Sequence, residues 1–299
     1  MNTRANRPRI MKFATLAGMA ALLAGALIHS TEGQAAVLFT RGAAAPAYEV
    51  YAIRYATSPG FQVSLLVAGA DPARRLDIPF MVWVLKGAGN RNVLVDAGLY
   101  RGPVFEQWKL RDFVKPSIAI GKVGLVPDEI TDVIITHIHW DHVGGVDLFP
   151  KARVWIQHAE FDHYIDAQGK PRSDEIAPDD ASMLQSLRQS GRLMFVDGDA
   201  QEIIPGIVAY TGGKHTYASQ YLGVATAAGT VVVASDSLYL YENLEKRLPL
   251  GATGDRNADL RVQTRMLSIA SSPSLIVPGH DSAVFERFPK PGGGVAKIE

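Results

Sequence analysis

The chain has 299 residues, of which 47% are hydrophobic and 20% charged, with 28 Gly and 17 Pro. That balance excludes a disordered or fibrous polymer and is enough to bury a sizeable core. Thirty basic residues offset thirty acidic ones, so no global field exists to hold a polyanion, and a small molecule is favoured over nucleic acid as the partner.

At the N-terminus Arg4, Arg7, Arg9 and Lys12 precede an uncharged stretch from Phe13 to Ile28, followed by Gly33-Gln34-Ala35-Ala36. Basic, then apolar, then small is the order of a secretory signal peptide. Residues 1–35 are therefore expected to be removed, giving a periplasmic or secreted protein. The uncharged stretch is shorter than the roughly 20 residues that span a bilayer, so a retained anchor is the weaker alternative and no stable membrane insertion is expected after cleavage. No cysteine is present, so any site for a borderline metal ion must be built from His and carboxylates. Residues 36–299 show no domain boundary or short repeat and are expected to form a single domain.

From Tyr48 to Tyr55, Phe61 to Val67, Phe80 to Leu85 and Asn92 to Val95, short strand-like runs alternate with turn signals such as Gly87-Ala88-Gly89-Asn90, predicting a first sheet. The stretch from Gly102 to Gly124 is less regular and holds Phe105, Trp108, Phe113 and Ile118. Asp128 begins a helical turn leading into the strand Val133-Ile134-Ile135. Beyond it Arg153 to Ile156 reads as a strand, and Ala159 to Ala167 and Asp180 to Ser190 read as helices. Leu193 to Val196, Ile207 to Thr211, Tyr221 to Ala225 and Thr230 to Ala234 read as strands of a second sheet. Arg256 to Ala270 is a helix with Val262, Met266 and Ile269 on one face, and Ser274 to Val277 is a last strand ending at Pro278-Gly279-His280. Pro291-Gly292-Gly293-Gly294 reads as a flexible tail. Two sheets sandwiched by helices follow from this order.

Directly after the apolar strand at 133–135, four potential ligands, His137, His139, Asp141 and His142, occupy six positions. Neutral imidazole and carboxylate suit Zn(II) and similar divalent ions, and a pair of ions about 3.5–4 Å apart can share one hydroxide and clamp both reacting oxygens. Of the eight histidines, His137, His139, His142, His215 and His280 sit where strand-like runs give way to loops, as ligand-bearing loops should. His29 lies in the signal peptide, and His158 and His163 lie on or beside a helix; these three are read as ordinary side chains.

The run His137-Ile138-His139-Trp140-Asp141-His142, followed by Gly144-Gly145, matches the HxHxDH signature, and the chain is identified as a member of the metallo-β-lactamase superfamily. Further landmarks resemble the family in order: Asp96 in Val95-Asp96-Ala97-Gly98, His215 in Gly212-Gly213-Lys214-His215-Thr216, Asp236 after Val231-Val232-Val233-Ala234, and His280 in Pro278-Gly279-His280. The resemblance implies an α/β fold, the αββα sandwich with two mixed β-sheets flanked by helices. It implies that His137, His139 and His215 hold a first metal, that Asp141, His142 and His280 hold a second, and that Asp236 bridges them. The cofactors implied are two divalent ions, with Zn(II) first. Asp96 would orient a ligand or its loop; a plain strand-end turn is the alternative. Redox members of the family generally carry Glu where this chain has His139, and a flavin domain is lacking here, so hydrolysis is favoured over electron transfer.

Asp236-Ser237-Leu238-Tyr239, with Tyr241-Glu242-Asn243-Leu244 and Pro249 behind it, is similar to the corresponding stretch of N-acyl homoserine lactonases, as are Gln157-His158-Ala159-Glu160 and Gly279-His280-Asp281. That group opens a lactone ring by attack of a metal-bridging hydroxide, a quorum-quenching reaction. The resemblance gives Tyr239 the role of stabilising the oxyanion and Asp141 that of carrying the proton to the departing alkoxide. For Tyr239, packing against the sheet edge is the alternative. Phe105, Trp108, Phe113 and Ile118 are candidates for an acyl-chain groove and equally for core; Trp140 either floors the pocket or covers the metal loop. A secreted β-lactamase is the first competitor, but those compared lack an Asp at the bridging position. A glyoxalase-type thioesterase shares the ligands but carries a helical C-terminal domain, whereas only 19 residues follow His280. A periplasmic metal- or lactone-binding protein without turnover is the non-enzymatic reading. A small-molecule lactone or ester is the expected partner, and a homodimer stays open.

Overall fold

A computed structural model describes residues 47–102, 105 and 107–299. The signal peptide expected at residues 1–35 lies outside the described residues. The rest is one unit of two sheets faced by helices.

Strands β1 (Glu49–Gln62), β2 (Arg75–Lys86), β3 (Asn92–Val95), β4 (Asp132–Ile134), β5 (Arg153–Gln157), β6 (Leu193–Val196) and β12 (Val295–Ile298) form the larger sheet, in the order β12-β1-β2-β3-β4-β5-β6. β12 through β3 pair antiparallel, and β3 through β6 pair parallel. Strands β7 (Gln201–Ile204), β8 (Ile207–Thr211), β9 (Gln220–Thr226), β10 (Gly229–Ser235) and β11 (Ile276–Pro278) form the smaller sheet, antiparallel except for the β10–β11 pair. Both sheets are mixed, as expected. The division between them falls after β6 rather than at the histidine motif, because β4, β5 and β6 extend the first sheet by parallel pairing beyond β3.

Side-chain alternation explains the layers. In β2, Met81, Trp83 and Leu85 face the smaller sheet, meeting Ile207, Ala209, Leu222 and Val231. Their neighbours Val82 and Val84 face outward and are covered with Val133, Val154 and Ile156 by helices α3 (His158–Tyr164) and α4 (Pro178–Gln189), through Phe161, Leu184 and Leu187. On the far side Val208, Tyr210 and Val232 meet Val262 and Met266 of helix α6 (Arg256–Ile269). With both faces of each sheet covered, strands read as continuous apolar runs. The short helices α1 (Pro116–Ala119), α2 (Trp140–Val143), α5 (Tyr241–Glu245) and α7 (Val284–Arg287) sit in connections. No helix among the described residues is long and apolar enough to cross a membrane.

Three expectations are corrected. The run Phe61 to Val67 is not a separate strand: β1 continues to Gln62 through two irregularities in its register with β2, and Val63–Leu65 turns as a 3-10 helix that buries Val63. β7 was not expected at all, since Gln201 and Glu202 give it little apolar character. The closing segment is not a tail beyond its glycines, because Val295 to Ile298 pairs antiparallel with Val50 to Ile53 and buries Val295, Ala296 and Ile298. Four residues are too few for the alternation to be legible.

Ending the chain at Pro291 removes β12 and bares the edge of β1. Two buried aliphatic side chains contribute about 3 kcal/mol or more, so the midpoint of thermal unfolding is expected to fall by roughly 6–12 °C, measured by calorimetry or circular dichroism.

Candidate metal centre

The connections leaving the C-terminal ends of β3, β4, β8, β10 and β11 converge at one rim of the sandwich. After β4 the chain bends through residues 137–139, and His137 and His139 bring their ring nitrogens within 3.1 Å of each other. The one-turn helix α2, started from His139 in extended geometry, then swings Asp141 and His142 back toward them. The loop presses against residues 96–98: Ala97 N–H donates to His142 O at 2.8 Å, and a Cβ on Gly145 would stand 2.2 Å from Ala97 O. Only glycine fits there. At the other side of the rim a Cβ on Gly279 would stand 2.7 Å from Asp236 Oδ1, so Gly279 is what lets the β11 end approach the β10 end.

His137 Nε2, His139 Nδ1 and His215 Nε2 form a triangle with sides of 3.0–3.1 Å. Asp236 Oδ2 lies 3.7 Å from His137 Nε2 and 3.4 Å from His215 Nε2. Beside it, His142 Nε2 lies 3.3 Å from Asp141 Oδ2 and 3.6 Å from Asp236 Oδ2, and His280 Nε2 lies 3.1 Å from Asp236 Oδ1 and 3.8 Å from Asp141 Oδ2. All seven expected ligands are thus brought together, in two groups that meet at Asp236. His158 and His163 stand elsewhere, stacked on Phe195 and Tyr217.

The donor set fits divalent cations. Burial first, then the neighbouring histidines, holds His137 well below the usual imidazole range; burial holds His139 below it and pushes His215 down to about 3. Neutral imidazoles offer lone pairs, and three ring nitrogens so close cannot all be donor–acceptor partners of one another. Buried His142 Nε2 and Asp236 Oδ1 find no hydrogen-bond partner among the described residues. Burial alone would lower His142, but Asp141, Asp96 and Asp236 outweigh it and hold this ring well above its ordinary value. Burial alone would raise Asp236, but His280 and His142 outweigh it and hold the carboxyl well below. These are groups that gain from a positive charge between them.

Behind the ligands stands a shell of buried anchors. Asp96 accepts from Thr136 N–H at 2.8 Å, from the Thr136 hydroxyl at 2.9 Å and from the Ser235 hydroxyl at 2.8 Å, and its Oδ2 lies 2.9 Å from His142 Nδ1. Asp96 and Ser235 both adopt left-handed backbone, with φ of 59° and 44°, which costs of order 1–3 kcal/mol each and persists where surroundings over-determine it. His280 Nδ1 lies 3.0 Å from Pro79 O, which as an acceptor fixes a proton on Nδ1 and frees Nε2.

The ligands floor a cavity of about 250 Å³ whose walls are Phe61, Leu65, Leu66, Ile78, Phe80, Trp108, Trp140 and Ala252. Tyr239 also lines it, with its hydroxyl 3.0 Å from His215 Nδ1. Of the aromatic candidates, Trp108 lines the cavity, edge-to-face with Trp140 at 4.9 Å. Phe105 and Phe113 pack on each other at 4.6 Å against the outer core, and Ile118 is 66% exposed. Trp140, one of whose two readings was the pocket floor, does line the cavity.

The family model of the metallo-beta-lactamase superfamily matches residues 80–280, from Phe80 in β2 to the last expected ligand. The chain belongs to that superfamily. An N-acyl homoserine lactonase of Bacillus sp is 24% identical over 224 residues, covering 70% of this chain and 84% of that protein. N-acyl homoserine lactonase AiiB of Agrobacterium fabrum is 29% identical over 180 residues, 58% of this chain and 64% of that one. A solved structure of a variant of AiiA from B. thuringiensis, with N-decanoyl-L-homoserine bound at its active site, superposes with a TM-score of 0.65 at 21% identity, covering 81% of this chain and 97% of the other. At that identity the superposition shows the shared fold. Divalent-metal binding, typically of zinc, accompanies the superfamily fold, and this rim carries the side chains for it.

Asp96→Asn keeps the shape but replaces one acceptor oxygen by a donor facing Ser235 and His142. Divalent-metal affinity is expected to weaken by about 10–100-fold, read by competition with a chromophoric chelator.

Proposed function

We propose that this protein is a metal-dependent hydrolase of carboxylic esters that opens a lactone ring of the N-acyl homoserine lactone type, using two divalent ions held by His137, His139 and His215 on one side and Asp141, His142 and His280 on the other, with Asp236 shared. Zinc(II) suits this nitrogen and carboxylate set. When bound, such ions supply Lewis acidity and a hydroxide nucleophile near neutral pH.

The observation that carries the reading is the cavity: reactive floor, apolar walls, and no Lys or Arg among the described residues that line it. A β-lactam or a glutathione thioester brings a carboxylate that would meet no Lys or Arg on these apolar walls, at a desolvation cost. A neutral ring ester on an aliphatic amide chain brings none, and its chain matches the Phe61, Leu66, Ile78 and Phe80 wall.

The protein's own groups divide the work. With His215 Nε2 turned into the triangle as a lone pair, Nδ1 carries the ring hydrogen and donates it to the Tyr239 oxygen 3.0 Å away. That leaves the Tyr239 O–H hydrogen free to point into the cavity, toward a carbonyl oxygen that gains charge as it is attacked. Burial, with the Asp236 and Asp141 charges behind it, holds the Tyr239 phenol well above its usual range and so protonated. Asp141 Oδ2, at the cavity floor, takes the proton of the attacking oxygen and returns it to the ring oxygen that leaves. The aromatic wall excludes water from the acyl side.

Export to the periplasm or the medium belongs to this reading and rests on the basic, apolar and small-residue order of residues 4–36 alone.

A substrate panel tests the proposal: an acyl homoserine lactone, an aryl ester, nitrocefin and a thioester, each offered to metal-loaded protein. Preferential lactone opening is expected, abolished by Asp236→Asn. Tyr239→Phe is expected to lower kcat by about 100-fold with smaller change in KM. Turnover of nitrocefin but not lactone would overturn the assignment.

A further inference from the structure

One buried carboxylate touches the loops on both sides of the imidazole triangle without pointing into it. Glu160, in the first turn of α3, is 0% exposed. Its Oε1 accepts the Ile138 N–H at 3.0 Å and its Oε2 accepts the Ala218 N–H at 2.6 Å. Ile138 separates His137 from His139, and Ala218 lies three residues beyond His215. A single side chain therefore spans the backbone beside all three rings. The helix carrying it makes a second link to the same loop, since Tyr217 N–H donates to the Tyr164 hydroxyl at 3.2 Å, and is itself seated on the sheet by Phe161, edge-to-face with Phe195 at 5.3 Å.

The arrangement is costly unless it serves a purpose. A carboxylate taken out of water loses several kcal/mol of hydration when no cation faces it, and the charged side chain that acts on Glu160 is another carboxylate, Glu175. A neutral residue would satisfy a single loop at lower cost. The carboxylate gives one oxygen to each backbone N–H, whereas Gln would turn its NH2, a donor, toward one of them.

We infer that Glu160 is a positioning residue for the three-histidine group, fixing the separation of the 137–139 and 215–218 segments so that the ring nitrogens stay close enough to share one cation. The inference rests on the reading that this group binds a metal ion and is independent of which ester is opened. Asp96 stands 2.9 Å from His142 Nδ1 and also holds Thr136, beside His137, so it reaches both halves, whereas Glu160 reaches backbone beside the three histidines alone. Loosening Glu160 should therefore affect that half.

The test uses the full chain, stripped of metal and titrated with cobalt(II), following the visible d–d absorption and competition with a chelator. The unsubstituted protein takes up two equivalents. Glu160→Gln, and Glu160→Asp, one methylene too short to reach both loops, keep one equivalent at its original affinity and lose about 10–100-fold for the other, with an altered absorption band for that equivalent. Unchanged affinity for both equivalents in the Glu160 variants, or equal weakening of both, overturns the inference. An unsubstituted protein that binds no cobalt overturns the metal reading itself and this inference with it.

Discussion

Three imidazole nitrogens stand within 3.1 Å of one another in a largely buried place at the cavity floor, and the rest of the rim is arranged around that crowding. Desolvation keeps His137 and His215 neutral, which gives lone pairs but also makes their close approach unfavourable until something positive lies among them. The fold meets that cost through closely packed backbone. Two sheets with both faces covered hold the ends of β3, β4, β8, β10 and β11 at one rim, and glycines 145 and 279 allow approaches that a Cβ would forbid. Where the two sheets meet, left-handed Asp96 and Ser235 are hydrogen-bonded to each other.

Much of this was legible in the sequence. The strand at 133–135 followed by His137, His139, Asp141 and His142 announces both the element and its chemistry, because apolar periodicity ends where ligand-type residues begin. His215, Asp236 and His280 were legible as strand-end residues, and the structure brings them to the motif. Glu160 stands in Gln157-His158-Ala159-Glu160, a stretch whose resemblance carries no role for it. Its signal was an acidic residue on the same helical face as Tyr164 and next to Phe161, both buried. The cavity wall was legible only in part. Trp108 was among its candidates, but Phe61, Leu65, Leu66 and Ala252 come from segments far apart in the chain that meet through backbone hydrogen bonds such as Ala252 N–H to Leu65 O at 2.9 Å. No local pattern encodes such a pairing. β12 was illegible for the same reason, since four residues acquire strand character only from the partner β1.

The connection between His215 and Tyr239 links the centre to the cavity. The ring that turns one nitrogen inward turns the other to the phenol at 3.0 Å, so the state of the centre sets which way the phenol hydrogen points. The apolar wall opposite makes that hydrogen the polar group available above the floor, in surroundings where a single well-aimed donor counts for more than it would in water.

The central claim is that seven side chains from four separate connections hold a pair of cations. Anomalous diffraction from crystals of the zinc-loaded protein tests it most directly. Two peaks are predicted, about 3.5–4 Å apart, one inside the His137, His139 and His215 triangle and one between Asp141, His142 and His280, with Asp236 reaching both. A single peak away from Asp236, or none at this rim, would contradict the account.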